Sequence, residues 1–300
     1  MTKSYKIQGS LHTYNNPHCT DKRAFSMIRS LDHRLKLSDD MIPLLNRELS
    51  PADKGKLFNH LKSFIISTRD VEKDLMLNWG IPRTVKEIEI LMPGAFNNAI
   101  AGYNSIQVLV GEPKKYDSFF SAPGPLYAHE LGHNMFFYDG NDKLSKYATV
   151  IECDGLTRKD ISPDGKLKRK YFEDIPYNIL PKELLFPKKA ADQTGFGLMY
   201  FTDELIADKV ALQICGDKET SIHIKRKVKE RIEWFSSNEK NPWEYLFCIT
   251  LSGEFKLGPE EKILRQGLAG MKCPWQSSIS TEDLLNKMSE FFRTVSLKHQ

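Results

Sequence analysis

The sequence predicts a mostly helical α+β fold in which a small mixed sheet leads into a helix carrying a candidate metal site. Three observations predict it. Apolar residues recur at helical spacing over much of the chain: Leu57, Leu61, Phe64 and Ile65 first, then residues 199–214, 220–235 and the C-terminal stretch. Residues 85–92 and 105–110 alternate instead, apolar with polar, and read as strands. Between the strands and the later helices stands Ala128-His129-Glu130-Leu131-Gly132-His133-Asn134.

Taken in order, residues 1–20 are polar, contain Asn15-Asn16-Pro17, and read as a loose arm. Phe25, Ile28, Leu31, Leu35 and Leu37, then Ile42, Leu44 and Leu45, follow a helical period. Ser50-Pro51-Ala52-Asp53 is a helix start, with a capping hydroxyl, Pro in the first turn and an early acid. That helix is expected to reach Trp79. His33 and His60 have no metal-ligand partner nearby in sequence and read as surface or packing residues. Gly80-Ile81-Pro82 ends the helical period. Residues 85–92 form a strand, Pro93-Gly94 breaks it, and residues 97–103 and a turn lead to the strand at 105–110. Residues 139–198 are less regular, and the basic run at 166–170 reads as a solvated loop. Thr281-Glu282-Asp283 opens a last helix with Leu285, Met288, Phe291 and Phe292 as its apolar stripe. Two regions are expected, a helical one at 1–83 and a second at 84–300, packed together or forming one compact unit.

At 300 residues the chain can bury a sizeable core. Its net charge of +4, from 43 basic and 39 acidic residues, is too mild to argue for nucleic acid or an anionic membrane. Cys19, Cys153, Cys215, Cys248 and Cys273 are odd in number and widely spaced, which argues against a disulfide framework and fits a reducing compartment. No apolar core follows residues 1–6, and no run approaches a bilayer span, so neither a Sec-type leader nor a membrane span is expected.

On a helix, residues four apart lie on one face, so His129 and His133 can aim two imidazoles at one point. Glu130 lies about 100° round the axis from His129 and can hold a water there without being a ligand. Zinc chemistry uses this arrangement: neutral nitrogen ligands, an open position and a base. Gly124-Pro125 starts the helix and Asp139-Gly140 stops it. A third protein ligand is required. The best candidate is Glu204, in Asp203-Glu204-Leu205-Ile206-Ala207-Asp208. Asp208, one turn on, is placed to accept the free ring N–H of a ligating His. Ala207 and Ala211 are small enough to let this helix pack closely on the first. Two rivals stand beside Glu204. Asp139 has the spacing of the third ligand in metzincin-like sequences, although Phe136 replaces their usual Gly. Glu152 has a spacing like that of zinc aminopeptidases, but in a strand-like context.

His129-Glu130-Leu131-Gly132-His133, followed by Glu204-Leu205-Ile206-Ala207-Asp208-Lys209-Val210-Ala211, resembles the gluzincin metallopeptidases. The second segment looks most like the family that includes the prenyl-protein and membrane-quality-control peptidases. Asn98-Ala99-Ile100-Ala101-Gly102 is similar to that family's edge strand. The resemblance covers roughly residues 84–215. It implies a zincin-like domain, one zinc ion on His129, His133 and Glu204, Glu130 as catalytic base, and Asp208 behind a ligand. It further implies an endopeptidase whose protein or peptide substrate adds to the edge strand. The chain departs from the family in lacking membrane spans and a clear element to stabilise an oxyanion after the Glu helix. His223, Tyr200 and Arg231 are the candidates for that role. The expected location is a cytosol, either the producing cell's or a host's reached by an effector-type protease of a bacterium. The alternatives are a catalytically silent zinc-bearing binding or regulatory protein, and a zinc protease that uses Asp139 as ligand.

Overall fold

The computed structural model describes residues 4–6, 35–38, 49–83, 85, 87–91, 97–102, 105–137, 167–176, 179–180, 193–238 and 241–299. A five-stranded mixed sheet has the order β1-β2-β3-β5-β4. Its strands are β1 (Ser4–Lys6), β2 (Leu35–Ser38), β3 (Glu87–Leu91), β4 (Asn98–Gly102) and β5 (Ser105–Leu109). β2, β3 and β5 run parallel, while β1 and β4 are antiparallel edges. Ile88 pairs with Ile106 and Ile90 with Val108, and all four side chains are buried. That alternation is the one read in the sequence: one face of the sheet meets the core, and Glu89 faces Gln107 on the other.

β2 corrects the helical reading of residues 35–37. Leu35 and Leu37 are two apart, a spacing that a strand also satisfies, and pairing with both β1 and β3 decides the matter. β1 likewise lies in what read as a loose arm. The sheet therefore runs across the boundary expected at residue 83. The basic run at 166–170 is not a plain loop. It contributes β6 (Leu167–Arg169), which forms a hairpin with β7 (Phe172–Ile175).

The helices are α1 (Pro51–Asn78), a single turn α2 (Tyr116–Phe119), α3 (Pro123–Phe137), α4 (Gln193–Cys215), α5 (Asp217–Ser237), α6 (Pro242–Glu254), α7 (Gly258–Ala269) and α8 (Thr281–Thr294). α1 starts as its sequence dictates: Ser50 Oγ accepts from the Asp53 N–H at 3.1 Å, and Pro51 needs no N–H partner. Its buried stripe of Leu57, Leu61, Phe64, Ile65, Val71 and Leu75 packs against α3, where Phe64 meets Tyr127 edge to face at 6.0 Å. Tyr127 Oη also donates to Glu72 Oε1 at 2.8 Å, so α1 fixes the start of the metal-motif helix. His60 stacks on Phe120 and bonds Asp117, a packing role. The other end of α3 is tied to the sheet, where Asn134 Nδ2 donates to the Ser105 carbonyl at 3.3 Å.

α6 and α7 fill a stretch for which no helix was assigned from sequence. With α5 and α8 they complete a helical layer around α4. The tail after α8 returns to the hairpin, with Leu297 bridging Phe172, and its Leu297 N–H is held by Gln213 Oε1 of α4 at 3.1 Å. Cys215, Cys248 and Cys273 are free thiols, and Cys19 and Cys153 lie outside the described residues. Among the described residues no helix is long and apolar enough to cross a membrane.

α3 and α4 form the tightest helix contact of the site. A Cβ at Gly132 would lie 2.8 Å from the Ala207 Cα and 3.2 Å from the Val210 Cβ. In an ordinary helix interior Gly→Ala gains about 0.5–1 kcal/mol. Here the clash is with backbone, so the sign reverses. Gly132→Ala is expected to destabilise the fold by about 1–3 kcal/mol, read as a lower urea midpoint at unchanged slope. An unchanged or raised midpoint would show that the two helices are not held at this separation.

Candidate metal centre

Two helices supply the centre. α3 carries His129, Glu130 and His133 on its buried side, and α4 carries Asp203, Glu204 and Asp208. The close approach at Gly132 and Ala207 brings the two sets within hydrogen-bond range. The Nε2 atoms of His129 and His133 face each other at 3.1 Å, with their rings nearly perpendicular at 89°. Glu204 closes the triangle: its Oε2 is 3.4 Å from His129 Nε2, and its Oε1 is 3.5 Å from His133 Nε2.

The other nitrogen of each ring is taken by a carboxylate. His129 Nδ1 lies 2.7 Å from Asp208 Oδ1, and His133 Nδ1 lies 2.7 Å from Asp203 Oδ2. An imidazole that donates its Nδ1–H keeps a lone pair on Nε2. Two such lone pairs and a carboxylate cannot sit together without a positive charge between them, a proton or a metal ion. The spacing fits a metal. Donor atoms of a tetrahedral zinc with bonds of about 2.0–2.1 Å lie roughly 3.3 Å apart. His129, His133 and Glu204 can therefore hold a metal ion, as can the neighbouring set of His129, Asp208 and His223.

The second set is richer in protons. His223 is buried, and its Nδ1 lies 3.4 Å from Arg226 Nη2, which can only donate. The His223 proton is therefore on Nε2, which faces Asp208 Oδ1 at 3.6 Å, beyond hydrogen-bond distance, while that oxygen takes the His129 Nδ1–H. Asp208 Oδ2 accepts from Lys227 Nζ at 3.0 Å. Asp208 is thus surrounded by donors, and the first set is the one whose Nε2 atoms and carboxylate converge on a point that a cation, a proton or a metal ion, must fill.

The electrostatics follow from burial and pairing. Burial opposes the charge on His133, but Asp203 outweighs it and raises the imidazole pKa to about 10. His129 is raised in the same way, with Asp208 and Glu204 overcoming burial and the repulsion of Lys227. Burial works against ionised Glu204 and Asp208 too, yet Lys227 and His129, joined by His133 at Glu204 and by His223 at Asp208, hold both carboxyls well below their ordinary range. Burial pushes the Glu130 and Asp203 carboxyls upward. It pushes His223 down to about 3, so that ring is neutral. Before a metal enters, the site is a buried cluster of charges that compensate one another.

Comparison with family models, with curated proteins and with solved structures finds no match to this chain.

Sequence reasoning brought His129, His133, Glu204 and Asp208 to one place, and the structure puts them there together with Glu130. It missed two groups. Asp203 was given no role from sequence, whereas it is buried against His133; its one available signal was its adjacency to Glu204. Lys227 gave no signal, since a lysine four residues after His223 ordinarily faces solvent. His223 faces Asp208 on the Nδ1 side of His129, away from the facing Nε2 atoms. Arg231 pairs with Glu244 at 3.6 Å. Tyr200 belongs to α4, where only its backbone is described, and Asp139 and Glu152 lie outside the described residues.

Each orienting carboxylate should matter to metal binding. Asp203→Asn and Asp208→Asn are each expected to weaken zinc binding about 10–100-fold, measured by competition with a chromophoric chelator. Wild-type affinity in Asp203→Asn would mean that His133 is oriented by something else.

Proposed function

We propose that this chain is a zinc-dependent metallopeptidase of gluzincin type that hydrolyses peptide bonds of a protein substrate. The observation that carries the reading is the convergence of His129 Nε2, His133 Nε2 and Glu204 at 3.1–3.5 Å, with both Nδ1 atoms already engaged. A zinc ion held by these three residues supplies Lewis-acid chemistry: it acidifies a water and polarises a carbonyl.

The chain's own groups do the rest. Glu130 follows His129 directly and is 5% exposed, in a site whose burial raises its proton affinity. That suits a general base, which takes the proton of the attacking water and passes it to the leaving amine as the C–N bond breaks. Asp203 and Asp208 hold the two rings and keep their protons on Nδ1. β4 is an edge strand packed beside α3, with Ile100 43% exposed, and it offers an extended peptide a line of backbone partners next to the site. The Glu204 assignment is supported against the metzincin-like alternative by the helix itself: α3 continues through Phe136, which is buried against Phe172 where a chain reversal would need a Gly.

Three proteins test the reading. Wild type is expected to carry about one zinc per chain, and Glu204→Ala is expected to lose it while staying folded. Glu130→Gln should retain zinc and lower cleavage of a denatured-protein library by about 10²–10⁴-fold. Zinc in wild type without any cleavage would favour a binding or regulatory protein. Zinc retained by Glu204→Ala would remove the gluzincin assignment.

A further inference from the structure

Lys227 stands beside the metal seat with a role that the hydrolysis above does not use. Its side chain on α5 is only 13% exposed, and its Nζ lies 4.9 Å above the Phe247 ring. It donates to Glu204 Oε2 at 2.7 Å and to Asp208 Oδ2 at 3.0 Å. Glu204 Oε2 is also the oxygen 3.4 Å from His129 Nε2. One carboxylate oxygen thus faces both the ammonium and the point where a metal would sit.

Burying an ammonium is costly unless it is paired, so this lysine is not placed for packing alone. Its two effects on metal affinity have opposite signs. As a clamp on Glu204 and Asp208 it would preorganise the donors and strengthen binding. As a fixed positive charge within a few ångströms of a dication it weakens binding, and in a buried site that repulsion is large. The clamp is partly redundant. Asp208 is also held by His129 Nδ1 at 2.7 Å, and the backbone of Glu204 is fixed by the contact of α4 with Gly132. The charge therefore dominates.

We propose that Lys227 is an internal counter-ion of the metal site, a positioning residue that balances Glu204 and Asp208 when the metal is absent and lowers the affinity for the metal when it is present. The inference rests on the reading of His129, His133 and Glu204 as the metal seat. A site built this way stays folded while empty and releases its ion more readily than the same donors would without the lysine.

The test uses the full chain as wild type, Lys227→Met, Lys227→Gln and Lys227→Arg. Zn²⁺ affinity is measured by chelator competition, and thermal unfolding is followed in EDTA and in Zn²⁺. The Met and Gln variants are expected to bind Zn²⁺ about tenfold or more tightly than wild type, to melt lower in EDTA, and to gain more from zinc. The Arg variant, which keeps the charge, should retain the wild-type affinity. Equal or weaker binding in Met and Gln overturns the proposal, since a clamp alone predicts weaker binding. If neither variant folds, wild type decides: it should keep its helical signal when stripped of metal, and unfolding on chelation overturns the proposal. Wild type that takes up neither Zn²⁺ nor Co²⁺ removes the metal seat itself, a failure distinct from altered affinity at a working site.

Discussion

The separation of α3 and α4 at Gly132 and Ala207 is the constraint on which the site depends. A side chain at position 132 would meet backbone, so the two helices touch without one. That contact sets the distance between the histidines of one helix and the carboxylates of the other. Had a larger side chain at position 132 held the helices apart, the 2.7 Å bonds from His129 to Asp208 and from His133 to Asp203 would not close together. α1 and the sheet grip α3 at both ends, through Tyr127–Glu72 and Asn134–Ser105. The tail after α8 grips the end of α4 through Gln213. Much of the molecule thus serves to hold one interhelical distance.

That distance creates an electrostatic difficulty, which the structure meets with cations from a third helix. Glu130, Asp203, Glu204 and Asp208 are all buried, and carboxylates this close disfavour one another's ionisation. α5 supplies Lys227 between Glu204 and Asp208, and Arg226 beside His223. Arg226 is itself paired with Glu230 and lies 5.3 Å above the Phe119 ring, so its charge is balanced where it stands. The result is a division of labour among helices: α3 gives nitrogen, α4 gives oxygen, and α5 gives positive charge.

What was legible in the sequence follows from these distances. His129 and His133 are four apart on one helix, and Glu204 and Asp208 are four apart on another, so a local period exposed each pair. Ala207 and Ala211 were visible as small residues, which made close packing of this helix on the first readable. Lys227 was not readable, because its partners lie on another helix and only tertiary packing turns a lysine inward. Asp203 was hidden differently. Neighbouring helix residues point about 100° apart, so a ligand role for Glu204 gives Asp203 none, yet both reach the site. The same logic explains the strand at 35–38: its partners β1 and β3 are distant in sequence, and Leu-x-Leu alone does not separate the two periods.

The donor count bears on whether such a site would be catalytic or structural. A closed structural zinc site uses four protein ligands, whereas a catalytic one uses three and leaves a position open. Three donors converge here on the Nε2 side of the rings. Asp208 is committed to His129, with His223 and Lys227 close about it, and Asp203 is bonded to His133. Recruiting either as a fourth ligand would break the bond that orients a histidine. His223 has its proton on the nitrogen that faces Asp208, so it would have to change tautomer to become a ligand. Among the described residues the nearest carboxylates are thus spent on positioning, and three donors converge beside a buried glutamate of the kind a general base requires. A purely structural role would leave that buried glutamate without a use, which supports the hydrolytic reading over passive metal storage.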